Sequence, residues 1–217
     1  MKTTLTATLL LALAATANAD VINATITADN HYALYTGDTT AVTFVGRNEM
    51  SSGGSPGTYN WSEPENWTFN SGAFIYIVAW SDDSVAQGLL AQIAGSADTY
   101  HSGDPRWQVY PTFLSRGDGS IEPDAAELQG HLATADANNL WQTPAVGGNN
   151  GISPWGVVPG IGTDIPWMWV QNPDQVDPFI GGSGYGETLV VRMAVPAPGA
   201  AALRGLGSMS IMRRKRR

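Results

Sequence analysis

Two stretches of this 217-residue chain gather side chains of the kind that hold sugars. "HSGDPRWQVYP" carries His101, Asp104, Arg106 and Trp107, and "NNGISPWG" carries Asn149, Asn150 and Trp155. An indole can stack on the apolar face of a sugar ring, while carboxylate, guanidinium and amide groups fork onto its hydroxyls. Both stretches are rich in Gly and Pro and are expected to form loops, where binding residues concentrate. These seven residues are the candidate carbohydrate contacts. The competing reading is that the rings simply pack, since the chain holds 8 Trp and buried Trp commonly fills sandwich cores. For Trp67, Trp80, Trp167 and Trp169 the packing role is the expected one, because they sit in apolar or strand-like runs.

Other constellations are weaker. Asp29 and Asn30 are expected to stabilise a tight bend through local hydrogen bonds rather than to touch a ligand. In "RGDGSIEPD", Asp118, Gly119 and Ile121 fit part of a calcium loop. Leu114, Arg116 and Ala125 stand where oxygen ligands are required, so the motif fails. The Arg116-Gly117-Asp118 triplet is read as chance. A structural calcium would suit the acidic composition, but no residues place it, and no other cofactor is expected. Asn23, Asn60 and Asn66 open N-x-S/T sequons, which matter only in a host that glycosylates them.

Catalytic signatures are absent. His31, His101 and His131 are the only His residues, none within H-E-x-x-H, and there is no G-x-S-x-G. "GGSGYGE" lacks the spacing and the Lys of a phosphate loop. Glu63 and Glu65 would lie on one side of an extended segment and are the only pair considered for glycosidase chemistry, which depends on a tertiary separation of carboxyls.

The elements that must position the loops are β-rich. "HYALYT" and "AVTFVG" read as strands around a Gly37-Asp38 turn. "AFIYIVAW" is a continuous β-branched and aromatic run suited to a sandwich core, and "ETLVVRMAV" is a further strand. "SVAQGLLAQI" reads equally as strand or helix. One helix is expected in "EPDAAELQGHLATADANN", with Pro123 in its first turn and Leu128 and Leu132 four apart. Short strands between turn clusters point to an all-β sandwich over roughly residues 20–194.

Charge and the two ends add location. All 19 acidic residues fall between the ends, against only Arg47, Arg106, Arg116 and Arg192. Such a surface repels phosphate backbones and excludes nucleic acid as a partner. There is no Cys, hence no disulfide, thiolate metal site or cysteine nucleophile. "MKTTLTATLLLALAATANAD" has a basic start, an apolar run and a small-x-small Ala17-Asn18-Ala19, the pattern of a secretory signal peptide over residues 1–19. At the other end Val195-Pro196-Ala197-Pro198-Gly199 precedes a short apolar segment and the basic run Arg213-Arg214-Lys215-Arg216-Arg217. Arg204 interrupts that segment, at a cost of roughly 2.5–3.5 kcal/mol on insertion scales.

The order motif, apolar segment, basic tail over residues 195–217 resembles the PEP-CTERM sorting signal in its VPAPG form. That tail is also labelled an ice-binding protein C-terminal motif, a name that implies no ice binding. The resemblance implies cleavage by an exosortase-type protease after transient inner-membrane association, and release or attachment at the cell surface or in the exopolysaccharide matrix. A second resemblance rests on "ITADNHYALYTGD", "WTFNSGAFIYIVAWSDDSVAQGLLAQI" and "IPWMWV … GGSGYGETLVVRMAV". These are similar to galactose-binding-like domains, which implies a jelly-roll β-sandwich whose end loops bind sugars in many relatives. The expectation is a secreted, non-enzymatic carbohydrate-binding protein of the surface or matrix, with polysaccharide as partner. The alternatives are a purely structural surface component and a carbohydrate-active hydrolase.

Overall fold

The computed structural model describes residues 20–48, 61–81, 85–96, 98–117, 119–171, 177–180 and 187–196. It is an antiparallel β-sandwich with one helix, as the spacing of strands and turns predicts. The elements are β1 (Val21–Asp29), β2 (His31–Gly37), β3 (Val42–Arg47), β4 (Glu65–Asn70), β5 (Phe74–Trp80), β6 (Gly88–Ala94), β7 (Thr99–His101), β8 (Gln108–Ser115), α1 (Ala125–Asn138), β9 (Ala145–Asn149), β10 (Pro166–Trp169) and β11 (Glu187–Ala194). One sheet has the order β4-β1-β6-β10-β9, with β7 also paired to β6; the other has the order β3-β2-β5-β11-β8. The chain crosses repeatedly between the sheets, in the manner of a jelly roll.

Alternation in β1 shows how sequence selects the inner face. Ile22, Ala24 and Ile26 are buried while Val21 and Asn23 are exposed, as a period of two requires. The segment "SVAQGLLAQI" resolves to strand β6, because Leu89, Ala91 and Ile93 face the same core as Ile22 and Ile26. Leu90, on the opposite face, is buried as well. Its face-neighbours explain why: Gly88 abuts Trp155, and the Gln92 amide oxygen accepts from the Gly162 N–H at 2.9 Å. The 150–165 segment thus lies over the outer face of this sheet.

The other sheet is covered by α1, which accounts for the unbroken apolar run of β5. Ile75, Ile77 and Ala79 point between the sheets, whereas Tyr76, Val78 and Trp80 form a second core with Leu128, Leu132 and Ala135 of the helix. A strand buried on both faces loses the polar alternation of a half-exposed one. The helix starts at Asp124, whose side chain accepts the Glu127 N–H, and ends at Asn139 in the left-handed region, both standard caps. Pro123 therefore precedes the cap instead of occupying the first turn, and its carbonyl accepts the Tyr35 hydroxyl at 2.6 Å. Arg192 on β11 fastens the far end of the helix: it donates to Asp136 and Gln108 and lies 3.7 Å from the Trp141 ring centroid.

The strand directions give the sandwich two distinct ends. At one, the Ser71 N–H donates to the Asp20 carbonyl at 2.7 Å, and the Val195 N–H donates to the Ala73 carbonyl at 2.8 Å. The first and last strands are thus tied to the same 71–73 turn. At the opposite end β1 turns into β2 through Asp29 and Asn30. Asn48 closes that bend, accepting the Tyr32 N–H and donating to the Asn30 carbonyl, while Ser81 donates to the Asn30 side chain. Asn30 is thus tied at the bend by residues 18 and 51 positions away, in addition to any local bond of the kind expected.

Candidate functional site

The two candidate loops adjoin on one side only: the Ser102 hydroxyl donates to the carbonyl of Pro166, which pairs with Asn149. His101, Asp104, Arg106 and Trp107 surround β7, whose Thr99 pairs with Ala94, itself opposite Asn23 near the start of β1. Trp155 reaches Asp29 at the other end of that strand, where its indole Nε1 donates to Oδ2 at 2.8 Å. Six strand residues at about 3.3 Å rise each separate those positions. The seven candidates thus fall in two clusters that adjoin at Pro166, with Trp155 at the far end.

The first cluster is an internal tie. Arg106 donates to both Asp104 oxygens and to Asp98, and its guanidinium lies 4.7 Å from the Tyr100 ring centroid. These hydrogen bonds hold the Asp104 carboxyl below the usual carboxylate range and raise Arg106 above its own. His101 Nδ1 lies 2.8 Å from the Ser102 carbonyl. Trp107 is only 1 % exposed and donates to the His101 carbonyl at 2.9 Å. Its ring belongs to the larger hydrophobic core, so the expected open stacking platform is absent here.

The second cluster organises the 150–165 cover. Asn150 is buried; its amide donates to the Val158 and Ile161 carbonyls and its oxygen accepts the Val158 N–H. These three bonds use both amide donors and make it a loop organiser. Asn149 ends β9, remains exposed, and accepts the Ile152 N–H on its carbonyl. Trp155 is 3 % exposed, stacked on Trp167 with centroids 4.1 Å apart and met edge-on by Phe179. Gly88 is required beneath this stack: a Cβ there would sit 2.6 Å from the Trp167 ring. Trp155 too is corrected from an open platform to a packed ring, because the sheet's outer face needs an apolar cover.

Trp155 nevertheless forms part of the wall of a cleft of about 630 Å³ beside the edge strand β9. The remaining lining comes from Ala145 to Gly148, Ile152, Ser153, Gln171 and the segment Asp177-Pro178-Phe179-Ile180. Asp177 caps that segment by accepting the Phe179 N–H at 2.9 Å, and the Pro178 carbonyl accepts from Gln87. Gly147 permits the close approach of Phe179, whose ring would lie 2.8 Å from a Cβ at that position. Sequence reasoning missed these residues. The signals were present in the Gly-Gly pair of β9 and in an Asp-Pro turn followed by two apolar residues, but neither pattern names a ligand.

Among the other candidates, Glu65 is buried and accepts the Tyr32 hydroxyl at 3.0 Å, while Glu63 is exposed outside the strand. Burial raises the Tyr32 phenol well above its ordinary value. Trp80 and Trp169 are buried, as is Trp167, and Trp67 is half-buried, donating to the Tyr32 hydroxyl at 2.7 Å. Asn23 and Asn66 are exposed on adjacent strands, accepting from Thr68 and Thr25 respectively; Asn60 lies outside the described residues. No group of three or more His, Cys, Asp or Glu suited to a metal ion occurs among the described residues, and no helix among them is long and apolar enough to cross a membrane. Residues 1–19, Ala197 to Gly199 and the basic run lie outside the described set; Val195 is buried and Pro196 exposed. Comparisons with protein-family models, with curated proteins and with solved structures find no match to this chain.

Proposed function

We propose that the protein is a secreted, non-catalytic β-sandwich of the cell surface or extracellular matrix that holds polysaccharide in the cleft beside β9. The observation that carries this reading is the cleft: a concavity of about 630 Å³, within the size range of small-ligand sites, walled by apolar side chains with Ser153, Gln171 and Asp177 as polar groups. The signal-like N-terminus and the VPAPG-type tail support delivery by secretion and exosortase-type sorting. A glycan array probed with the secreted protein, with and without Ca²⁺, tests the reading. Binding without product release supports it. Product release would instead indicate a hydrolase.

A purely structural role is the second reading. It is favoured by one observation: Trp107, Asn150 and Trp155 are all buried and engaged in internal packing and hydrogen bonds. Silence across the array would favour it.

A further inference from the structure

What the cleft leaves open to solvent narrows the sugars it suits, an inference that rests on the carbohydrate reading above. Trp155 is buried between Trp167 and Phe179, and Phe179 is buried against Trp155 and the Gly147 backbone, so little of either ring face is open. The apolar surface that remains belongs to Val146, Ile152 and Ile180, which are 55 %, 45 % and 72 % exposed. Branched aliphatic side chains make a poor flat platform for a sugar ring but close-pack well around a methyl group. Among the described residues the polar lining is Ser153, Gln171, Asp177 and the Gly147–Gly148 backbone, with no Lys or Arg. Asp177, fixed at the rim by the Phe179 N–H, places a carboxylate where an acidic sugar would bring another.

We infer that the cleft selects neutral sugars bearing a methyl substituent, an N-acetyl group or a 6-deoxy carbon, over unsubstituted and acidic sugars. The methyl would sit against Val146, Ile152 and Ile180, and the hydroxyls would face Gln171 and Ser153. Acidic sugars are disfavoured by like charge, both from Asp177 and from the acidic chain as a whole.

Titration calorimetry on the secreted protein with matched sugars tests this. The pairs are chitotriose against cellotriose, L-fucose against L-galactose, and galactose against galacturonate. Each methyl-bearing sugar is expected to bind about tenfold or more tightly than its counterpart, the scale on which an apolar pocket discriminates a methyl from a hydroxyl-bearing analogue, and galacturonate more weakly than galactose. Val146→Ser and Ile180→Ser are expected to bring the methyl preference close to one while leaving Tm unchanged, because both side chains are largely exposed. Equal affinities within the first two pairs, tighter galacturonate binding, or an unchanged preference in both serine variants would overturn the inference and leave carbohydrate binding standing. No binding by any of the sugars would overturn the carbohydrate reading and the inference together.

Discussion

Trp155 and Asp29 stand 126 positions apart in the chain and meet through a 2.8 Å hydrogen bond between indole and carboxylate. That bond pins the cover of one sheet to the end of its second strand, and it stands directly behind the cleft wall. Replacing Asp29 with Ala leaves a buried indole N–H without its acceptor, which costs about 1–3 kcal/mol. Asp29→Asn retains a carbonyl acceptor and is expected to cost less. Urea melts of the two variants provide the comparison.

Trp107 and Trp155 are expected to behave as core residues. Trp107→Ala and Trp155→Ala should each lose roughly 3–5 kcal/mol, the range for a large aromatic truncated in a packed interior. Trp80→Ala, at a fully buried position, is the reference. Losses below about 1 kcal/mol, the scale of surface changes, would show that the rings are not packed as described.

Asn150→Ala removes two donors and one acceptor that hold the 150–165 segment. The stranded Val158 and Ile161 carbonyls should then let the segment open locally, well before global unfolding. Limited proteolysis would report this as new cleavage between Asn150 and Ile165 in the variant, with the parent protein resistant.

Acid sensitivity follows from Asp104. Its folded-state pKa is lowered, chiefly by the hydrogen bond from Arg106. The unfolded chain, with an ordinary carboxyl near 3.9, therefore takes up its proton at higher pH. The stability contributed by the pair is present above about pH 4 and is lost as pH falls through the folded value. Asp104→Asn should lower Tm slightly at pH 6 and flatten its decline below pH 4. The effect at neutral pH is at most about 1 kcal/mol, since Arg106 is substantially open to water.

Intact-mass analysis of the native protein is expected to give a chain that begins at Asp20 and lacks the basic run. Arg204→Leu should raise the membrane-associated fraction of the precursor in a strain without the sorting protease, because it removes the charge within the apolar segment. Retention of both Met1 and Arg217 in the native protein would argue against both processing steps.

The strands and the helix were legible because each follows a local rule. Period-two burial marks β1, the apolar run marks β5, and the Leu128–Leu132 spacing marks the buried stripe of α1. The ambiguity of β6 was also physical: Leu89, Ala91 and Ile93 alternate, but the buried Leu90 between them blurs the pattern and the composition also suits a helix. The site was far less legible. Gly and Pro around Trp107 and Trp155 correctly signal loops, but loop membership says nothing of whether a ring is covered. Trp155 is buried because a distant Asp29 and a distant Trp167 receive it, a relation with no local trace. The cleft, likewise, is made by β9 and the Asp177–Ile180 segment, which are brought together only by the tertiary fold.

The tie of Asp20 and Val195 to one short turn makes the sandwich a body with a stem and a crown. Any tether at the carboxyl side leaves from the stem. The β1–β2 bend, Trp155 and the cleft lie toward the crown. A chain fastened to a cell envelope by its last residues would hold the cleft away from that envelope, facing the medium. The same nearness of first and last strands also means that a short linker could join them and new ends be opened elsewhere. A permuted protein of that kind, with its new ends in the 38–41 turn, which lies at the same stem beside Gly72, should retain the fold and any ligand affinity of the cleft.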